Sequence, residues 1–160
     1  MRHIRFATAQ DTPQILAFIK ALAEYEHLSH EVEVDEARLR QTLFGTPPAA
    51  EVLLALEDDT AVGFALFFHN YSTFLGKRGI YLEDLFVKPE YRGRGHGKAL
   101  LARLAALALE RGCGRLEWAV LDWNTPSIEF YKKLGAVPMS EWTIFRVTGQ
   151  ALADLASSST

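Results

Sequence analysis

The strongest chemical signal in the chain is the run Arg92-Gly93-Arg94-Gly95-His96-Gly97-Lys98. Its glycines alternate with cations and an imidazole, between a stretch of strand character and one of helical character. The start of a helix leaves several backbone N–H groups without partners and carries the positive end of the dipole, so it attracts anions. Glycine lets the main chain approach a phosphate with no side chain in between. A diphosphate is the ligand such a loop suits. A Walker loop would need Gly-x-x-x-x-Gly-Lys followed by Ser or Thr, whereas Arg92 holds the first position here and Ala99 the last. A Rossmann loop would need Gly-x-Gly-x-x-Gly at the first strand, and this Gly-x-Gly-x-Gly comes late. Two readings remain: Arg-x-x-Gly-x-Gly, formed by Arg92, Gly95 and Gly97, or a glycine-rich turn that only opens a helix.

Such a loop works only if neighbouring elements hold it, and apolar periods of 2 and 3.6 alternate along the chain as in a mixed α/β fold. His3–Ala7 reads as a first strand. Asp11 reads as the N-cap of a helix with Pro13 in its first turn and Ile15, Leu16, Ile19, Leu22 and Ala23 on one face, ending near Tyr25. A short helix is predicted over Asp35–Phe44, stopped by Gly45 and Pro47-Pro48. Val52–Glu57 and Ala61–Phe68, joined by Asp58-Asp59-Thr60, predict a hairpin. A polar loop is expected from Asn70 to Gly79, and then a strand over Ile80–Val87. A long helix should start at Gly95 or Gly97 and stop near Gly112. Arg115–Leu121 reads as a strand, Pro126–Leu134 as a helix, Trp142–Val147 as the last strand, and a short terminal helix follows. No repeat or linker appears, so residues 1–160 are expected to form one domain.

Composition narrows the function. The chain has 160 residues, 49% hydrophobic and 23% charged, with a formal net charge of −3. That suits a globular fold and argues against a general nucleic-acid binder, which needs a broad basic surface. The polar tail Ser157–Thr160 is the stretch expected to lack order. Cys113 is the single cysteine, so no intrachain disulfide can form. Met1–Phe6 lacks the apolar run of a signal peptide, and the apolar stretch Ala99–Leu109 is too short to span a bilayer and contains Arg103. A cytoplasmic protein without a membrane partner is expected. His27 and His30 belong to no ligand set with zinc spacing, and no metal is expected.

The wider context of the loop is Tyr81-Leu82-Glu83-Asp84-Leu85-Phe86-Val87, then Pro89-Glu90-Tyr91 ahead of Arg92. Downstream lie Trp123-Asn124-Thr125-Pro126-Ser127 and Phe130-Tyr131-Lys132-Lys133-Leu134-Gly135-Ala136. With Ile4-Arg5-Phe6-Ala7-Thr8 and Ala23-Glu24-Tyr25-Glu26, these segments resemble the GNAT acetyltransferase superfamily. The likeness is to its diamine and polyamine (spermidine/spermine) and thialysine acetyltransferase branch, from about Ile4 to Ala156. It implies a strongly twisted mixed sheet flanked by helices, split between central strands, and a homodimer. It also implies acetyl-CoA as acetyl donor and a small-molecule amine as acceptor.

By this resemblance, Leu85, Phe86 and Val87 offer backbone groups to the pantetheine arm. Arg92, Gly93, Arg94, Gly95, His96, Gly97 and Lys98 hold the pyrophosphate, and Asn124, Ser127 and Tyr131 complete the coenzyme site. Glu83 matches the family's base, which takes a proton from the ammonium before its nitrogen attacks the thioester; Tyr131 matches the acid that protonates the departing thiolate. Tyr25, Glu26, Glu83 and Asp84 match positions near the amine. Of the acidic cluster Glu24, Glu26, Glu31, Glu33, Asp35 and Glu36, a solvated surface accounts for all but Glu26. Ser72 stands where the spermidine enzyme carries an acidic residue. A thialysine-like basic amino acid or short diamine is therefore the expected acceptor. A polyamine, a protein lysine and a non-catalytic acyl-CoA sensor are the alternatives.

Overall fold

The segment Glu51–Glu57 shows why a sheet occupies the centre. Its interior, Val52-Leu53-Leu54-Ala55-Leu56, is apolar and buried at every position. A strand alternates its side chains between two faces, so an unbroken apolar run needs cover on both. In the computed structural model, which describes residues 1–158, this strand (β2) lies between β1 (Arg2–Phe6) and β3 (Thr60–Ser72). The sheet continues through β4 (Lys77–Val87) to β5 (Leu116–Trp118). Neighbours are antiparallel except β4 and β5, which run parallel. This is the mixed sheet expected.

Helices α1 (Thr12–Tyr25) and α2 (Glu36–Phe44) cover one face. Ile15, Phe18, Leu39 and Leu43 pack there against Val52, Leu54, Leu56, Phe64, Leu66 and Phe86. Phe18 stacks on Phe64 with ring centroids 5.4 Å apart and tilts toward Phe86 at 6.0 Å. Residues of the other parity, such as Leu53 and Ala55, point to the opposite face. There α3 (His96–Glu110) buries Leu100, Leu101, Leu104 and Leu107 and contacts all five strands.

Two compact units are distinguished, Met1–Leu121 and Asp122–Thr160. The first holds the whole sheet with α1, α2 and α3; the second holds α4 (Thr125–Lys133) and α5 (Gly149–Ser157). Ser157 closes α5, while Ser159 and Thr160 of the polar tail lie outside the described residues. Among the described residues no helix is long and apolar enough to cross a membrane.

Two sequence expectations need correction, and the N-cap reading of Asp11 holds in position but not in its bonding. The polar stretch after Phe68 is no loop: Asn70 pairs with Gly79, Tyr71 with Arg78 and Ser72 with Lys77, so only Thr73–Gly76 turn. Outward-facing polar side chains there hid a paired backbone. Asp11 does sit at the start of α1, yet its carboxylate accepts from Arg5 (2.8 and 3.0 Å) and the Thr8 amide (2.7 Å) rather than capping the helix. These bonds hold its pKa down at about 2. Trp142–Val147 has strand composition but no regular structure, and Trp142, Ile144, Phe145 and Val147 are exposed. Strand propensity is local, whereas a ladder needs a partner.

The Phe18–Phe64–Phe86 cluster joins α1 to β3 and β4. Phe18→Ala should destabilise the protein by about 3–5 kcal/mol, the usual cost of emptying a buried aromatic site. A urea titration checks this, and a loss under about 1 kcal/mol would show that the cluster can collapse.

Candidate active site

Along β4, Asp84 pairs with Leu66 and Leu82 with Phe67, which leaves Glu83 as an extra, unpaired residue. Such a bulge locally breaks the alternation of a strand and re-aims its side chains. Neighbours on a regular strand face opposite ways; here Glu83 and Asp84 line the same cavity. This cavity, of about 410 Å³, is bounded by Ile19, Leu22, Ala23 and Glu26 of α1 and its end, and by Leu28 and Glu31–Val34 of the following segment. Five carboxylates therefore surround it: Glu26, Glu31, Glu33, Glu83 and Asp84.

The electrostatics follow from that crowding. Burial, reinforced by Glu83 and then Glu26, pushes the Asp84 carboxyl up to about 6. Burial and the Glu83 charge also raise Glu26 above the ordinary carboxylate range. Burial and neighbouring like charge both disfavour the ionised forms of Asp84 and Glu26, so these two carboxyls gain by taking up a proton or meeting a cation. Tyr25 lies apart from this wall, stacked under the Arg92 guanidinium at 5.2 Å.

Beyond the bulge, Leu85, Phe86 and Val87 pair with Ala65, Phe64 and Gly63 of β3. Pairing of β4 with β5 has already stopped at Leu82 opposite Trp118. Among the described residues, no strand continues the ladder on that side of Glu83–Val87. The Phe86 side chain is in the core.

Arg92 then ties the loop back. Its Nε donates to the Val87 carbonyl at 2.9 Å, and its guanidinium also lies over the Phe86 ring at 5.5 Å. Gly95 adopts a left-handed backbone (φ +86°) just ahead of α3, a conformation that favours glycine. The first helical bond runs from the Ala99 amide to the Gly95 carbonyl, so the amides of His96, Gly97 and Lys98 precede the helical ladder. A Cβ placed on Gly93 or Gly97 would meet open space. Arg94 and His96 turn their side chains to Glu57. Lys98 is exposed.

In the second unit, Asn124 is buried and caps α4, its side chain accepting the Ser127 amide at 3.4 Å. Tyr131 is half-buried on the same helix, 5.7 Å from the Phe130 ring. Gly135, at φ +93°, closes the helix end, where the Ala136 amide donates to the Tyr131 carbonyl.

The family model for acetyltransferases of the GNAT type matches residues 6–136 of this chain. The chain belongs to the GNAT acetyltransferase family. Bovine thialysine N-epsilon-acetyltransferase is 44% identical over 96% of this chain and 96% of its own length. An L-ornithine N5-acetyltransferase of Arabidopsis thaliana is 35% identical over 93% of this chain and 85% of its own. Among solved structures, an integron cassette protein from the mobile metagenome of V. cholerae superposes with a TM-score of 0.82, at 27% identity and 98% coverage of both chains. A Brucella melitensis ribosomal-protein-alanine N-acetyltransferase (TM-score 0.73, 22% identity, 93% and 100% coverage) shares the fold. This GNAT chain is an N-acetyltransferase that acts on an amine.

Sequence reasoning missed part of the site. Glu31 and Glu33 are exposed, as a solvated surface requires, yet both also line the cavity; the alternating Glu31-Val32-Glu33-Val34 was the available hint. Glu57 gave no local signal, because its partners lie 37 and 39 positions away.

Asp84 makes the site costly for the fold. Its pKa is higher folded than unfolded, so the native state binds more protons between about pH 4 and pH 6 and loses stability as pH rises through that window. Asp84→Asn should therefore raise Tm at about pH 8 by several degrees, and the gain should vanish below about pH 4. Thermal melts across that range test this, and a gain independent of pH would contradict it.

Proposed function

We propose that this GNAT protein moves the acetyl group of acetyl-CoA onto a primary amine of a small cationic acceptor, by direct transfer in a ternary complex. The observation that carries this reading is the carboxylate-lined cavity at the β4 bulge, next to an unpaired strand edge that leads into an anion-binding loop. The family match spans both compact units, which supports treating residues 1–160 as one catalytic domain.

The residues present fit the coenzyme. The amides of His96, Gly97 and Lys98, with open space over Gly93 and Gly97, suit a pyrophosphate. The backbone of Leu85, Phe86 and Val87 suits a pantetheine arm, and Asn124 and Ser127 are proposed to complete the site. When bound, the coenzyme supplies the thioester. Glu83 takes the proton that an alkyl ammonium, of pKa about 10, must lose before its nitrogen can attack. Tyr131 gives a proton to the departing thiolate. Glu26 and Asp84 orient the cationic acceptor, and Tyr25, outside that lining and under the Arg92 guanidinium, is proposed to contact it from the edge. Family resemblance supports a homodimer; composition and a net charge of −3 support a cytoplasmic protein with no nucleic-acid or membrane partner.

The relatives are named for thialysine and ornithine, which favours a basic amino acid. One observation favours a diamine or polyamine instead: the cavity lining has five carboxylates and, among the described residues, no Lys, Arg or His to meet an α-carboxylate. Lysine and cadaverine differ by that carboxylate alone. If the diamine reading holds, thiol release from acetyl-CoA should favour cadaverine in kcat/KM by at least about tenfold, because a like charge in such a pocket is strongly disfavoured. A preference for lysine returns the assignment to basic amino acids, and no thiol release with any amine defeats the function itself.

The catalytic pair is tested separately. Tyr131→Phe and Glu83→Gln should each lower kcat by about 10²-fold or more while coenzyme affinity, read by calorimetry, stays near that of the wild type. Undiminished turnover would remove the residue concerned from the mechanism.

A further inference from the structure

The glycine loop is held from outside by one carboxylate. Glu57 ends β2, where it pairs with Arg2 of β1 and Thr60 of β3, so its backbone is fixed on both sides. Its side chain, 21% exposed, accepts from Arg94 Nη1 at 2.7 Å through one oxygen and contacts His96 Nε2 at 2.7 Å through the other. A carboxylate can only accept, so Nε2 carries the proton. The bonds hold the Glu57 carboxyl below its ordinary range, His96 contributing most. His96 is buried (3% exposed) in the first turn of α3, and Arg2 reaches across to donate to the Arg94 carbonyl.

These contacts bracket one residue. Arg94 and His96 flank Gly95, the left-handed position on which the loop turns into α3. Fixing both neighbours to one rigid carboxylate fixes the direction in which the amides of His96, Gly97 and Lys98 point. A negative side chain beside an anion-binding loop opposes binding by simple electrostatics, and here it also engages the Arg94 guanidinium. Its presence is accounted for by shape: donors aimed in advance need no reorganisation when a phosphate arrives.

We propose that Glu57 is a positioning residue for coenzyme binding, which acts through Arg94 and His96 to hold the loop amides in their anion-binding arrangement. This rests on the assignment of acetyl-CoA as donor. It predicts that Glu57 serves the nucleotide end of the coenzyme and not the acyl chemistry.

Acetyl-pantetheine, which lacks the pyrophosphate and nucleotide, separates these ends. Glu57→Gln should raise KM for acetyl-CoA by about tenfold with kcat within about twofold of wild type, a loss of binding rather than of chemistry. The ratio of kcat/KM for acetyl-CoA to that for acetyl-pantetheine should fall by the same factor. In the protein without coenzyme, amide hydrogen exchange over residues 93–98 should accelerate, and the calorimetric Kd for coenzyme A should rise about tenfold. Glu57→Asp, which keeps the charge, should recover part of the ratio and guards against a Gln variant that folds poorly. An unchanged ratio and unchanged loop exchange in a folded Glu57→Gln protein would overturn the proposal while leaving acetyl-CoA as the donor. A wild type that binds coenzyme A no better than pantetheine would overturn both.

Discussion

At Glu83, β4 carries one residue more than β3 can pair, and the ladder resumes one position out of step. Much of the site depends on that insertion. A regular strand would send Glu83 and Asp84 to opposite faces of the sheet; the bulge lets both reach the cavity beside α1. The cost is visible in Asp84, which is crowded by burial and two other carboxylates. A carboxyl crowded in this way favours a cation beside it, which is the physical basis of the acceptor site proposed above.

The same strand sets up the opposite electrostatic environment a few residues later. Past Leu82 its second edge has no β5 partner, and past Val87 the chain turns into a loop of amides that suits anions. Arg92 fastens the two regions together through the Val87 carbonyl and the rings of Phe86 and Tyr25. A cation-seeking pocket and an anion-seeking loop thus share one piece of backbone. In the proposed function, reactants of opposite charge would be held close together there without competing for the same groups, as a bimolecular transfer requires.

How much of this was legible in the chain itself varied with the kind of signal. Strong apolar periods located α1, α3 and the central strands, because the segments that bury a face must carry one in their sequence. The glycine loop was readable because its backbone demands are met by few residue types. The hairpin beyond Phe68 was not readable as paired strand, since its outward side chains are polar like those of a loop. Trp142–Val147 shows the converse, a strand-like composition with no ladder.

The sequence by itself therefore determined the α/β class, the glycine-rich turn into α3 and the family to which the chain belongs, because each is written in contiguous residues. Only the tertiary structure decided that Glu31 and Glu33 face a cavity and that Glu57 braces a loop 37 positions away. It also decided that adjacent Glu83 and Asp84 share one side. Those facts depend on strand register and on which elements meet in space, and neither is encoded in any local run of residues.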